Sequence, residues 1–142
     1  MVPSAKVFFE EVRAAYAEAA SSLGLTGPAE AEQVMPVSAY RCGGVEYQIG
    51  LGFRDGVVEC SASTETESVA FTASIEDLAL AAGVVDLRGR VSYSARNLKQ
   101  LRKSLLGQAE YVRLVHPFLA GPAAEGLMRQ AGARQWSKGA ER

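Results

Sequence analysis

The residue types that perform most enzyme chemistry are few in this sequence and lie far apart. His116 is the only histidine, and it stands immediately before Pro117. A nucleophile needs an adjacent base that is oriented by a third group, and one histidine at a predicted helix end offers no such arrangement. The two cysteines, Cys42 and Cys60, lack the further thiol or imidazole ligands of a metal site. We therefore predict no catalytic residue, no metal site and no cofactor.

The carboxylates and glycines give no stronger sign of catalysis. Glu10-Glu11 and Glu76-Asp77 are neighbouring carboxylates in polar surroundings, as are Glu65 and Glu67. A general acid needs a carboxyl group held in an apolar pocket, so these carboxylates are typical of a solvated surface. Gly50-Leu51-Gly52 lies inside a predicted strand, where it cannot form a phosphate-binding turn. These patterns favour binding over catalysis.

The charges are sorted along the chain although the net charge is only −1. Residues 1–85 carry 4 basic and 12 acidic side chains, whereas residues 86–142 carry 11 basic and 4 acidic ones. The low net charge argues against a nucleic-acid partner. Two interpretations remain open for the sorting: the halves present opposite binding patches, or they neutralise each other where they pack together.

The elements that must position these residues begin with a helix. Ser4 is a suitable N-cap, apolar residues then recur at helical spacing as far as Leu23, and Gly24 ends the helix. Residues 27–32 follow as a predicted connection.

A four-stranded antiparallel meander is predicted from Val37 to Ala73, because the apolar period becomes two and turn dipeptides separate the segments. Gly43-Gly44 and Asp55-Gly56 suit two-residue hairpin loops. The first loop pairs Tyr40 with Tyr47 and Arg41 with Glu46. The second pairs Phe53 with Val58, Leu51 with Cys60 and Ile49 with Ala62, all on one inward face. This register places Cys42 and Cys60 too far apart for a disulfide.

The opposite face of this meander is the first candidate binding site. It carries glycines, which leave backbone open to close approach, together with carboxylates suited to a basic protein partner. The acidic turn between the third and fourth strands extends it. The predicted protein-binding residues are Glu46, Gln48, Gly50, Gly52, Glu59, Glu65 and Glu67.

Three helices are predicted after the meander. Ser74 and Asp77 have capping-box spacing and begin a short helix that ends at Gly83. Ser94 is the predicted cap of a long helix whose apolar stripe begins at Leu98 and which Pro117 disrupts. A last helix lies between Gly121-Pro122 and Gly132, with Leu127 and Met128 inward. Residues 1–133 are thus predicted to form one α+β domain, with the two C-terminal helices on one face of the sheet and a loose tail over 134–142.

A basic segment supplies the alternative site, for an anion or a small molecule. Its side chains are expected to surround the helix N-terminus at Ser94, which favours negative charge. Aromatic residues for base stacking are lacking, so the segment does not indicate RNA binding. The predicted anion-binding residues are Arg88, Arg90, Arg96, Lys99 and Lys103.

The order of elements resembles that of two groups of small bacterial proteins, secretion chaperones and immunity proteins that neutralise toxins. The resemblance is one of architecture, so no site residue is carried over from either group. It implies a non-enzymatic protein-binding module, with self-association as a further hypothesis. The sequence contains no secretory signal pattern and no apolar stretch that could span a bilayer, so we expect a cytoplasmic protein without a membrane partner.

Overall fold

The computed structural model describes residues 1–32 and 34–138 of the chain. It contains four helices and one antiparallel sheet of six strands in sequential order, which confirms the α+β class. The helices are α1 (Ala5–Leu23), α2 (Ile75–Ala81), α3 (Leu98–Leu119) and α4 (Ala124–Gln130). The strands are β1 (Thr26–Glu32), β2 (Pro36–Cys42), β3 (Val45–Gly52), β4 (Val57–Glu65), β5 (Val69–Ser74) and β6 (Arg134–Ser137). Within the described ranges, no helix has both the length and the apolar character needed to cross a membrane.

The predicted start and end of α1 and the predicted start of α2 are confirmed. The Ser4 hydroxyl accepts a hydrogen bond from the Val7 N–H, and Gly24 ends α1 in the left-handed conformation. The Ser74 hydroxyl accepts from the Asp77 N–H at the start of α2. Both caps satisfy backbone donors that have no partner within the helix.

The start and end of α3 differ from the prediction. Asn97, not Ser94, caps the helix, and its side chain accepts from the Gln100 N–H. Ser94 instead forms an isolated bridge with Val57 at the side of β4. The helix also continues through Pro117 to Leu119, so Pro117 lies in the last turn and does not terminate it. Leu98, expected to be inward, is exposed because α3 begins at that residue.

The predicted four-stranded meander lacks two of the six strands in the sheet. Residues 27–32, predicted as a connection, belong to β1, which pairs with β2. Arg134–Ser137, predicted as part of a loose tail, form β6 and pair with β5. Residues 139–142 of that tail lie outside the described residues.

The first hairpin has the predicted register, and the second does not. Tyr40 pairs with Tyr47 and Arg41 with Glu46 across the two-residue Gly43-Gly44 loop. In the second hairpin Leu51 pairs with Val58 and Ile49 with Cys60, because four residues, 53–56, form the loop. Phe53 therefore lies in the loop and is exposed. The predicted register is wrong by two residues. Because this shift is even, all the paired side chains of β3 and β4 remain on their predicted faces.

One hydrophobic core joins the helices to the inward face of the sheet. Phe8, Val12 and Tyr16 of α1 and Leu101 and Leu105 of α3 are fully buried in it. The sheet contributes Tyr40, Tyr47, Ile49, Leu51, Val58, Cys60 and Phe71. Helices thus cover one face of the sheet, and none of the described residues forms a layer over the other face, which we call the outer face.

Candidate functional site

The outer face carries small and polar side chains on its central strands. Gly50 of β3 lies opposite Glu59 of β4, and Gln48 lies opposite Ser61. The next row across the sheet runs from Glu46 through Ser63 and Thr72 to Arg134. The structure therefore brings the predicted residues Glu46, Gln48, Gly50, Gly52 and Glu59 together on one face. Glu65 ends β4 on the same face, and Glu67 lies in the exposed turn beyond it.

This face is concave and holds two open depressions. The upper depression has a volume of about 520 Å³ and lies over Gly50, Gly52 and Glu59. The lower depression has a volume of about 510 Å³ and lies beside Glu46 and Glu65. Gln48 and Thr72 line both of them. The two depressions therefore adjoin in the middle of the sheet, and we call them together the trough.

Gly50 gives the upper depression its depth. A Cβ atom at Gly50 would lie 3.1 Å from Sδ of Met35 and 3.8 Å from a methyl group of Val37. The absence of a side chain therefore lets the Met35 thioether fold down over the bare backbone of β3. Met35 remains partly exposed, which leaves an adaptable apolar group at this margin of the trough.

The charge of the outer face is mixed, because β6 brings cations that sequence reasoning assigned to the tail. Lys138 Nζ lies 3.1 Å from Glu65 Oε1 and also donates to the Thr66 carbonyl at 2.9 Å. An Arg41 nitrogen lies 3.3 Å from Glu46 Oε2. Glu59 and Asp55, which both line the upper depression, form no ion pair within residues 1–32 and 34–138.

Trp136 is the part of this face that the sequence analysis missed. Its partner across the β5–β6 ladder is Ala70, and its side chain lines the lower depression. The indole is half exposed, at 52%. An aromatic side chain beside a concave surface of small residues is typical of protein interfaces. A tryptophan within the predicted loose tail was the only signal for it in the sequence.

The predicted anion site divides into two groups in the structure. Arg88 contacts Asp77 at 2.6 Å and Glu76 at 3.6 Å, and the Asp77 carboxylate raises the pKa of Arg88 above its usual value. Arg90 contacts Asp86 at 3.1 Å. Arg96, Lys99 and Lys103 form no ion pair with the described residues. The first two arginines are therefore already neutralised, and the helix start they were expected to surround is capped by Asn97.

Ion pairs also join the two oppositely charged parts of the chain. Arg88, Arg102 and Lys138 of the basic part contact Asp77, Glu11 and Glu65 of the acidic part. Part of the charge sorting is thus neutralised where the parts pack together, which was one of the two interpretations of the sequence.

The groups with chemical reactivity, His116 and Cys60, are buried in the core, although Cys60 also belongs to the lining of the upper depression. His116 Nδ1 lies 2.7 Å from the Tyr47 hydroxyl in the core, and burial lowers the pKa of His116. Burial raises the pKa of the Cys60 thiol to about 12, so the reactive thiolate form is disfavoured. Both cysteines are free. In the part of the chain that the structure describes, no group of histidine, cysteine and acidic side chains could hold a metal ion.

No protein-family model, curated protein or solved structure matches this chain. The geometry of the outer face is therefore the starting point for a functional proposal.

Proposed function

We propose that this domain is a non-enzymatic, cytoplasmic protein-binding module that holds its partner in the trough of the outer face. The observation that carries the proposal is the trough itself, an uncovered concave sheet face of small and polar residues between Met35 and Trp136. A partner that lies in it buries these two apolar side chains, meets the Met35 thioether over Gly50 and meets the backbone directly at Gly52. A role like that of an immunity protein or a secretion chaperone agrees with this mode of binding.

The partner's surface is proposed to be basic where it faces the upper depression. Glu59 and Asp55 are carboxylates at that depression without an ion-pair partner among the described residues. Complementary charge of this kind mainly raises the association rate and fixes orientation. The apolar margins supply most of the binding free energy in this proposal.

Edge-to-edge strand pairing is a weaker candidate for the binding mode. β1 contains Pro28, which has no N–H to donate, and its pairing with β2 shifts between Thr26 and Ala29. β6 has only four residues. Short, irregular or proline-containing edge strands are features that discourage strand addition. The face of the sheet is therefore a better docking surface than either edge.

The experiment uses a purified partner and a pair of matched variants. The tagged protein captures candidate partners from its host, and a stoichiometric candidate is then purified and titrated against the wild-type protein. Ser61→Arg fills the middle of the trough with a large side chain and should abolish binding. Ala17→Arg adds the same side chain to the exposed side of α1 and should leave the affinity unchanged. Equal binding by both variants would remove the trough from the mechanism.

The alternative, an anion-binding or small-molecule site near residues 88–103, has less support. Arg88 and Arg90 are held by carboxylates, so an added anion has to compete with existing ion pairs. A thermal-shift panel of phosphate-containing metabolites tests it, because a specific ligand raises the unfolding midpoint by mass action. A large shift that Arg96→Gln abolishes would favour this alternative over protein binding.

A further inference from the structure

A second surface lies at the end of the sheet where β2 begins and β3 ends. Val37 pairs with Gly50 there. Val34 lies three residues before Val37 and Phe53 lies three residues after Gly50, so both lie beyond this same end of the ladder. Val34 is 97% exposed and Phe53 is 42% exposed. Neither side chain lines the trough. We call this surface, formed by Val34, Phe53 and the basic residues described next, the apical patch.

Basic residues from separate segments of the chain lie near the 53–56 loop in the folded protein. Arg54 follows Phe53 in the 53–56 loop. The Ala95 N–H donates to the Gly56 carbonyl at 2.7 Å, and a Cβ at Gly56 would lie 2.8 Å from Cγ of Arg96. These contacts fix Arg96 against the loop, and Lys99 is exposed in the first turn of α3.

The beginning of α1 belongs to the same end. A Cβ at Gly56 would lie 3.6 Å from a methyl group of Val2, which brings the first turn of α1, with the exposed Lys6, close to the loop. Lys6, Arg54, Arg96 and Lys99 form no ion pair with any described residue. Carboxylates near this end are Glu32, the last residue of β1, Asp55 in the loop, Glu59 opposite Gly50, and Glu10 one turn after Lys6. The apical patch itself therefore presents four cations without an ion-pair partner among the described residues and has apolar side chains at its tips.

From this combination we infer that the apical patch binds the surface of an anionic lipid bilayer. Phe53 and Val34 enter the headgroup region, while the long side chains of the surrounding cations reach lipid phosphates and carboxylates. The shape favours a bilayer over an acidic protein. Separate projecting side chains need preformed pockets on a protein, whereas a lipid surface deforms around them.

A bilayer contact was not expected from the sequence, because its residues come from four separate segments. Only the ladder between β2 and β3 and the contacts at Gly56 bring them to one end. The inference is independent of the trough, which lies on the outer face and is lined by different residues apart from Asp55.

The test is co-sedimentation of the whole protein with vesicles of two compositions at low ionic strength. One set consists of phosphatidylcholine alone, and in the other about a third of the lipid is phosphatidylserine. We expect binding only to the second set and weaker binding as salt is added, because salt screens surface charge. Absence of binding to both sets overturns the inference.

Two matched pairs of variants identify the surface that binds. Arg54→Gln should lower the apparent affinity about fivefold, as expected for one basic residue near an anionic membrane, and Arg134→Gln on the outer face should not. Phe53→Ser should lower it about tenfold through loss of apolar burial. Phe118→Ser, at a residue 41% exposed in the last turn of α3, should not change it.

The remaining outcomes are also decisive. If Phe53→Ser binds vesicles as well as the wild type, the attraction is electrostatic only and the inserted tip is wrong. If the protein binds neither kind of vesicle but is retained on immobilised polyglutamate, and Arg54→Gln abolishes that retention, the patch fits an acidic protein. The lipid inference then fails. Trough variants such as Ser61→Arg should bind vesicles normally, so failure of one proposal leaves the other testable.

Discussion

Gln108, in the middle of α3, accepts a hydrogen bond through its Oε1 from the backbone N–H of Cys60, with 2.7 Å between the two atoms. Its Nε2 donates to the Val58 carbonyl at 3.0 Å and to the Ser104 hydroxyl at 2.9 Å. β5 pairs with β4 only as far as the Ser61–Ser74 pair. The side-chain amide therefore takes the place of a missing strand along the uncovered part of β4.

We predict that Gln108→Leu destabilises the protein by roughly 3 kcal/mol. Leucine has a similar size, but it leaves the Cys60 N–H and the Val58 carbonyl buried without partners, at about 1 to 3 kcal/mol for each group. Chemical denaturation measures the difference. Gln130→Leu, at an exposed position of α4, is the control and should change the free energy of unfolding by less than about 0.5 kcal/mol. Similar effects of the two substitutions would show that the amide bonds are not important for stability.

The burial of His116 predicts a loss of stability in weak acid. Burial lowers the pKa of His116 in the folded protein below its usual value of 6.5, so below that pH the unfolded chain binds more protons. The free energy of unfolding should therefore fall as the pH drops through about 6.5, by at most about 1.4 kcal/mol per pH unit, until the folded pKa is passed. The stability contributed by neutral, buried His116 should be fully present above about pH 6.5.

His116→Gln isolates this contribution, since the chain has no other histidine. Glutamine can still form a hydrogen bond with the Tyr47 hydroxyl but does not titrate. Denaturation of both proteins between neutral and mildly acidic pH gives two curves whose difference should change only near the histidine pKa. Parallel curves would mean that His116 titrates equally in the folded and unfolded states.

The two hairpins explain how much of the site could be predicted from the sequence. Gly43-Gly44 fits a two-residue loop, so the Tyr40–Tyr47 pair followed correctly. At the second loop Gly56 has the positive φ, 64°, that the Asp55-Gly56 pattern suggests, but the chain turns over four residues and the Gly56 N–H donates to the Gly52 carbonyl. Turn chemistry located the loop without giving its length. The outer face was still predicted correctly because the resulting shift is even.

The two edge strands could not be predicted from periodicity. Nearly every residue of β1 is exposed, and every residue of β6 is exposed, so neither has an alternating apolar pattern. Their pairing is decided by backbone hydrogen bonds to β2 and β5, which depend on tertiary structure. Because β6 was not predicted, Arg134, Trp136 and Lys138 were absent from the predicted binding face. The predicted face was therefore more acidic than the face in the structure.

Trp136 should report directly on occupation of the trough. It is the only tryptophan, and its half-exposed indole lines the lower depression. We predict that acrylamide quenches its fluorescence efficiently in the free protein and much less in a complex with the partner, because the partner covers the ring. The Trp136→Phe variant gives the background fluorescence of the tyrosines. Unchanged quenching in a saturated complex would place the partner elsewhere on the molecule.

The charges of the trough predict opposite effects of two substitutions on the association rate. Glu59→Lys reverses a carboxylate without an ion-pair partner in the described structure and should slow association with a basic partner severalfold. Lys138→Ala removes the cation that lies 3.1 Å from Glu65 and should accelerate it, because the Glu65 carboxylate becomes available to the partner. Both effects should shrink as salt is added, since these charges are exposed to solvent. Stopped-flow mixing measures the rates, and Glu18→Lys on the exposed side of α1 controls for net charge. If Lys138→Ala slows association, the partner's surface at the lower depression is acidic and the proposed polarity of the complex is wrong.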